Sequence, residues 1–155
     1  MTGVLVVLDE SGKAIGQGLA LARQLGQAVT GLFVYERGWN VYIGHDWLSG
    51  SNARATFLEY VEEHERAAEA ELKARFLAEA QAAGVEARFE AICCDDLEHL
   101  TDAVIREARK GGYGHIVCAD PLTRGLSQRR GGTKALLRGA PCPVVLAGQA
   151  VVAAA

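Results

Sequence analysis

The order of its apolar segments constrains the fold of this chain more than any other feature. Five short apolar runs alternate with segments whose apolar residues recur at helical spacing. The first run is continuous and bounded by polar residues, which is typical of a strand buried on both faces of a parallel sheet. The pattern predicts strands at residues 3–8, 28–35, 85–93, 115–119 and 144–147.

No turn signal for a β-hairpin joins any two of these runs. Parallel strands are then connected by right-handed crossovers through the intervening helices. The sequence therefore predicts an α/β fold, a doubly wound five-stranded parallel sheet with helices on both faces. Because 155 residues is the length of one domain, we expect a single domain over 1–155.

Two segments between the second and third strands are unusual. Residues 37–50 form a loop with both tryptophans of the chain, which either covers a ligand or makes a protein contact. A long helix is predicted near 53–83. In the first helix, Gly16 and Gly18 are interpreted as points of close packing on the sheet, and Ser11 as the helix cap.

Composition excludes several classes of function. The net charge of −3 argues against a general nucleic-acid binder. No apolar run reaches the about 18 to 20 residues of a membrane helix, and the start of the chain has no export signal, so we expect a cytoplasmic protein. No C-x-x-C spacing occurs, and His99 beside two cysteines is an incomplete ligand set, so we expect no metal and reduced thiols at Cys93, Cys94, Cys118 and Cys142.

Ligands of a doubly wound sheet bind beyond the carboxyl ends of the strands, where the strand order reverses. The candidate segments are therefore residues 9–12, 37–50, 93–96 and 120–133. The last is the most informative, because residues 119–143 carry five basic residues and one acidic residue, a net +4 in a chain of −3. Such a loop at a helix start can receive a phosphate, or its arginines can simply be solvated.

Four segments carry a family resemblance. They are VLVVLDESGKA at the first strand and its turn, GLFVYE at the second strand, HIVCADPLTRG at the fourth strand and its loop, and APCPVVLAG at the last strand. In these segments, and in the order and spacing of all five strands, the chain resembles the universal stress protein family. The resemblance implies a Rossmann-like fold of the adenine-nucleotide alpha-hydrolase type.

The resemblance also implies a nucleotide site with two unequal halves. Nucleotide-binding members carry a glycine, two residues, a second glycine, nine residues, then glycine and serine or threonine. Here the corresponding positions are Ala119, Leu122 and Gly132-Thr133, so the first two glycines are missing and the phosphate half is degraded. Asp9 matches the acidic residue that receives the nucleoside in that family, and Val34 matches a strand-two residue that lines its base pocket. The implied nucleotide-binding residues are Asp9, Val34, Cys118, Ala119, Arg124, Arg129, Arg130, Gly131, Gly132 and Thr133.

Three functions are compatible with these observations. The favoured one is a dimeric regulatory module of the stress-response type that binds ATP or AMP weakly. The second is an interaction protein that works without nucleotide and has a protein partner. The third, an adenylating or nucleotide-hydrolysing enzyme, is the least favoured, because the sequence pairs no nucleophile with a base and suggests no catalytic residue.

Overall fold

The computed structural model describes residues 3–35, 51–94, 100–120 and 132–147. Within these ranges, strands and helices alternate along the chain, as the apolar pattern predicts. The elements are β1 (Val4–Val7), α1 (Lys13–Leu25), β2 (Val29–Tyr35), α2 (Ser51–Ala83), β3 (Ala87–Cys93), α3 (Leu100–Gly111), β4 (His115–Ala119), α4 (Gly132–Gly139) and β5 (Val144–Ala147). The loop predicted at 37–50 lies outside the described residues.

The five strands form one sheet in the order β3-β2-β1-β4-β5, and every neighbouring pair is parallel. The chain runs outward from β1 through β2 to β3, then crosses back to add β4 and β5 on the other side of β1. The fold is therefore the predicted doubly wound parallel sheet. The strand order reverses between β1 and β4, and the general rule for doubly wound sheets predicts a ligand-binding crevice at their carboxyl ends.

Helices cover both faces of the sheet. On one face, Val4, Val6 and Phe33 pack in a core with α1 and with Phe76 of α2. On the other face, the side chains of Leu5 and Val7 belong to a second core that is closed by α3 and α4. All four residues of β1 are fully buried, which is the burial that its continuous apolar run predicts.

In α1, the structure confirms one interpretation made from the sequence and corrects two others. A Cβ built at Gly18 would overlap Cγ2 of Val6, so helix and sheet do approach closely there. The same interpretation of Gly16 is wrong, since Gly16 is exposed and a Cβ there would meet no atom within 4 Å. The N-cap is Gly12, in the left-handed region at φ 66°, and not Ser11. The Ser11 hydroxyl still accepts a hydrogen bond from the Lys13 amide at 3.3 Å.

Among the described residues, no helix has the length and apolar character needed to cross a membrane.

Candidate functional site

The carboxyl ends of β1 and β4 lie side by side at the crevice. The two strands pair in parallel with Val6 opposite Val117, so the residues that follow them leave the sheet as neighbours. Asp9 follows β1, and Asp120 follows β4 directly. Two carboxylates therefore stand at the point where the topology predicts ligand binding.

The β1 end of the crevice is a tight turn built around Asp9. Its carboxylate is fully buried, and Oδ1 accepts hydrogen bonds from the Ser11 hydroxyl at 2.7 Å and from the Gly12 amide at 3.2 Å. Gly12 also donates to the Asp9 carbonyl at 3.1 Å. The space beside Gly12 is occupied by the guanidinium of Arg75 from α2, which a Cβ at Gly12 would overlap. The turn thus holds Asp9 in one orientation, and the Arg75 guanidinium packs against the turn at Gly12.

The β4 end of the crevice is joined to α4 by a longer-range contact. The Thr133 hydroxyl, in the first turn of α4, donates to Oδ1 of Asp120 at 3.0 Å. Asp120 and Thr133 are both half-buried, whereas Ala119 is fully buried. Asp120 is not among the residues implied by the family resemblance. An acidic residue at the end of a strand, followed by a threonine at the next helix start, is the only sequence signal that could have indicated it.

The negative charges of both carboxylates act on the thiol of Cys118. Burial, together with the negative charges of Asp120 and then Asp9, raises the pKa of Cys118 to about 12. The thiol is therefore neutral at physiological pH. It belongs to the core on the α3 and α4 face, as does the side chain of Val34 on β2. Cys118 and Val34 are therefore both buried side chains of this core.

The structure brings together part of the predicted site. Asp9, Cys118 and Ala119 meet at the paired strand ends, and Thr133 joins them through Asp120. Gly132 begins α4. The remaining predicted residues, together with Leu122, lie outside the described residues: Arg124, Arg129, Arg130 and Gly131. In the part of the chain that the structure describes, no cluster of three or more histidine, cysteine or acidic side chains is arranged to hold a metal ion.

No protein-family model matches the sequence, and no curated protein matches it significantly. Solved structures do match the fold over almost the whole chain. A universal stress protein family protein from Burkholderia pseudomallei is 21% identical, with 96% of each chain covered and a TM-score of 0.63. The universal stress protein from Archaeoglobus fulgidus in complex with dAMP is 12% identical, with 95% of this chain and 98% of that chain covered and a TM-score of 0.64.

A third match is a universal stress protein family protein from Arabidopsis thaliana with AMP bound. It is 16% identical, with 95% of this chain and 91% of that chain covered and a TM-score of 0.55. At these identities the matches establish a shared fold. They confirm the fold that the family resemblance implies.

Proposed function

We propose that this chain is a dimeric regulatory module of the universal stress protein type that binds an adenine nucleoside or nucleotide weakly. The ligand lies in the crevice between the ends of β1 and β4. One observation carries the proposal: a buried, oriented carboxylate, Asp9, stands at the switch point of a fold that is shared with structures holding dAMP and AMP.

The two ends of the crevice support different parts of the ligand. The turn fixes the direction of the Asp9 carboxylate oxygens at the strand end, and in this proposal Asp9 accepts a hydrogen bond from a ribose hydroxyl. At the β4 end, Ala119 replaces a glycine of the nucleotide-binding pattern, and a second carboxylate follows it at Asp120. The nucleoside part of the ligand is thus bound better than its phosphates, with ATP or AMP as weak ligands.

The proposal is tested by calorimetric titration of adenosine into the wild type and two variants. Asp9→Asn keeps the shape of the side chain and removes its charge. Asp102→Asn makes the same change at an exposed position in the first turn of α3 and serves as the control. We expect adenosine affinity to fall at least about tenfold in the first variant, or about 1.4 kcal/mol, and to stay unchanged in the second. A wild type that binds no adenosine at millimolar concentration contradicts the proposal and favours the nucleotide-independent interaction protein.

Dimerisation and location are further parts of the proposal. In the sheet of the described residues, β5 is an edge strand, and an exposed edge favours pairing with a second copy. A monomer in sedimentation at micromolar concentration would contradict the dimer.

All four cysteines are free thiols, which supports a reducing compartment such as the cytoplasm.

A further inference from the structure

The start of α4 already faces an anion that belongs to the chain. The first backbone amides of a helix have no partners within the helix, and they attract negative charge. The Thr133 hydroxyl lies in this first turn and donates to the Asp120 carboxylate at 3.0 Å. The Thr133 hydroxyl, which could donate to a phosphate at this helix start, is therefore already bonded to Asp120.

The same carboxylate adds negative charge to the crevice. Asp120 follows β4 directly, and β4 pairs with β1 at the switch point. The negative charges of Asp120 and Asp9 both raise the pKa of the Cys118 thiol, so both carboxylates lie near that side chain. A ligand held at Asp9 that also carried a phosphate towards α4 would bring its negative charge to a second carboxylate.

We propose that Asp120 is a specificity-determining residue, which makes the crevice select a neutral nucleoside over the corresponding phosphates. This inference rests on the proposed function and names its ligand class. Asp120 acts in two ways: its charge repels an approaching phosphate, and its Oδ1 already accepts a hydrogen bond from the Thr133 hydroxyl. AMP carries nearly two negative charges at neutral pH, so it meets this repulsion, whereas adenosine does not.

The experiment compares adenosine and AMP as calorimetric ligands of the wild type, Asp120→Asn and Asp102→Asn. The wild type should bind AMP no more tightly than adenosine. Asp120→Asn should raise AMP affinity at least about tenfold and change adenosine affinity by no more than about twofold. Asp102→Asn removes the same charge from an exposed site, so it controls for net charge and should leave both affinities unchanged.

Two additional variants distinguish the charge of Asp120 from a purely structural role. Asp120→Glu retains the charge and should keep AMP binding weak. Asp120→Ser is neutral and should favour AMP as Asp120→Asn does, which also covers a failure of the asparagine variant to fold. If the glutamate and asparagine variants gained AMP affinity equally, the effect would come from altered packing, and the proposal would be overturned.

The outcomes separate this inference from the proposed function. Wild-type AMP affinity at least about tenfold above that of adenosine overturns the selectivity and leaves the nucleotide site intact. If neither ligand binds any variant, the proposed function fails, and inorganic phosphate then tests the role of Asp120 directly. The amide resonance of Thr133 should respond to phosphate at a concentration at least about tenfold lower in Asp120→Asn than in the wild type. An equal response in both proteins, or none in either, overturns the inference.

Discussion

The two carboxylates at the crevice, Asp9 at the end of β1 and Asp120 at the end of β4, are held in different ways. Asp9 is fully buried, and it accepts hydrogen bonds from the Ser11 hydroxyl and the Gly12 amide, which lie within three residues of it. Asp120 is half-buried and is bonded by Thr133, which is thirteen residues further along the chain. The first carboxylate is therefore part of a local turn, whereas the second depends on where α4 packs.

This difference assigns each carboxylate a different role. Removing a buried acceptor leaves its donors without that partner inside the protein. This lowers the free energy of unfolding more than the loss of a partly solvated hydrogen bond does. Asp9 is thus expected to contribute to both stability and binding. Asp120 is expected to contribute mainly to the choice of ligand, because water can replace it as the partner of the Thr133 hydroxyl.

The largest expected effect concerns stability. Asp9→Ala removes the acceptor of the Ser11 hydroxyl and the Gly12 amide, and should lower the free energy of unfolding by about 2 to 3 kcal/mol. Asp120→Ala should lower it by about 1 kcal/mol or less. Chemical denaturation of the two variants measures the difference. Asp9→Asn, which retains an oxygen acceptor, should fall between the wild type and the alanine variant. Equal losses of unfolding free energy in both alanine variants would contradict the distinction between the two carboxylates.

A smaller loss is expected at Gly12, in the turn that orients Asp9. Gly12→Ala places a side chain at φ 66°, which costs about 1 to 2 kcal/mol, and its Cβ must also displace the guanidinium of Arg75. Gly26→Ala is the matched control, because Gly26 has φ 65° and no atom within 4 Å of a built Cβ. Denaturation midpoints should therefore fall further for Gly12→Ala. If both variants lose the same stability, Arg75 moves aside freely and does not restrain the turn.

The same difference between local and non-local contacts determines which parts of the molecule could be predicted from the sequence. The strands, the helices and the position of Asp9 follow from local patterns: apolar runs, helical spacing and a polar turn after the first strand. Gly16 and Gly18 look alike in the sequence, yet only Gly18 faces the sheet, because helix rotation is set by packing. The contact between Asp120 and Thr133 is non-local in the same sense, so no spacing rule identified it.

The smallest expected effect is at Cys118, where the charges of the two ends combine. Burial is the largest cause of its raised pKa, and the charges of Asp120 and Asp9 come second and third. Asp120→Asn should lower the pKa of Cys118, but the thiol stays in the core and remains protonated at neutral pH. We therefore expect its alkylation by iodoacetamide, measured by peptide mass spectrometry, to change by no more than about twofold. The exposed Cys93 provides the internal reference for reagent activity. An increase of tenfold or more in Cys118 alkylation, with the stability of the variant unchanged, would contradict this expectation. It would show that charge at the β4 end controls this thiol more than burial does. Asp120 would then lie closer to the core than its half-exposed side chain indicates.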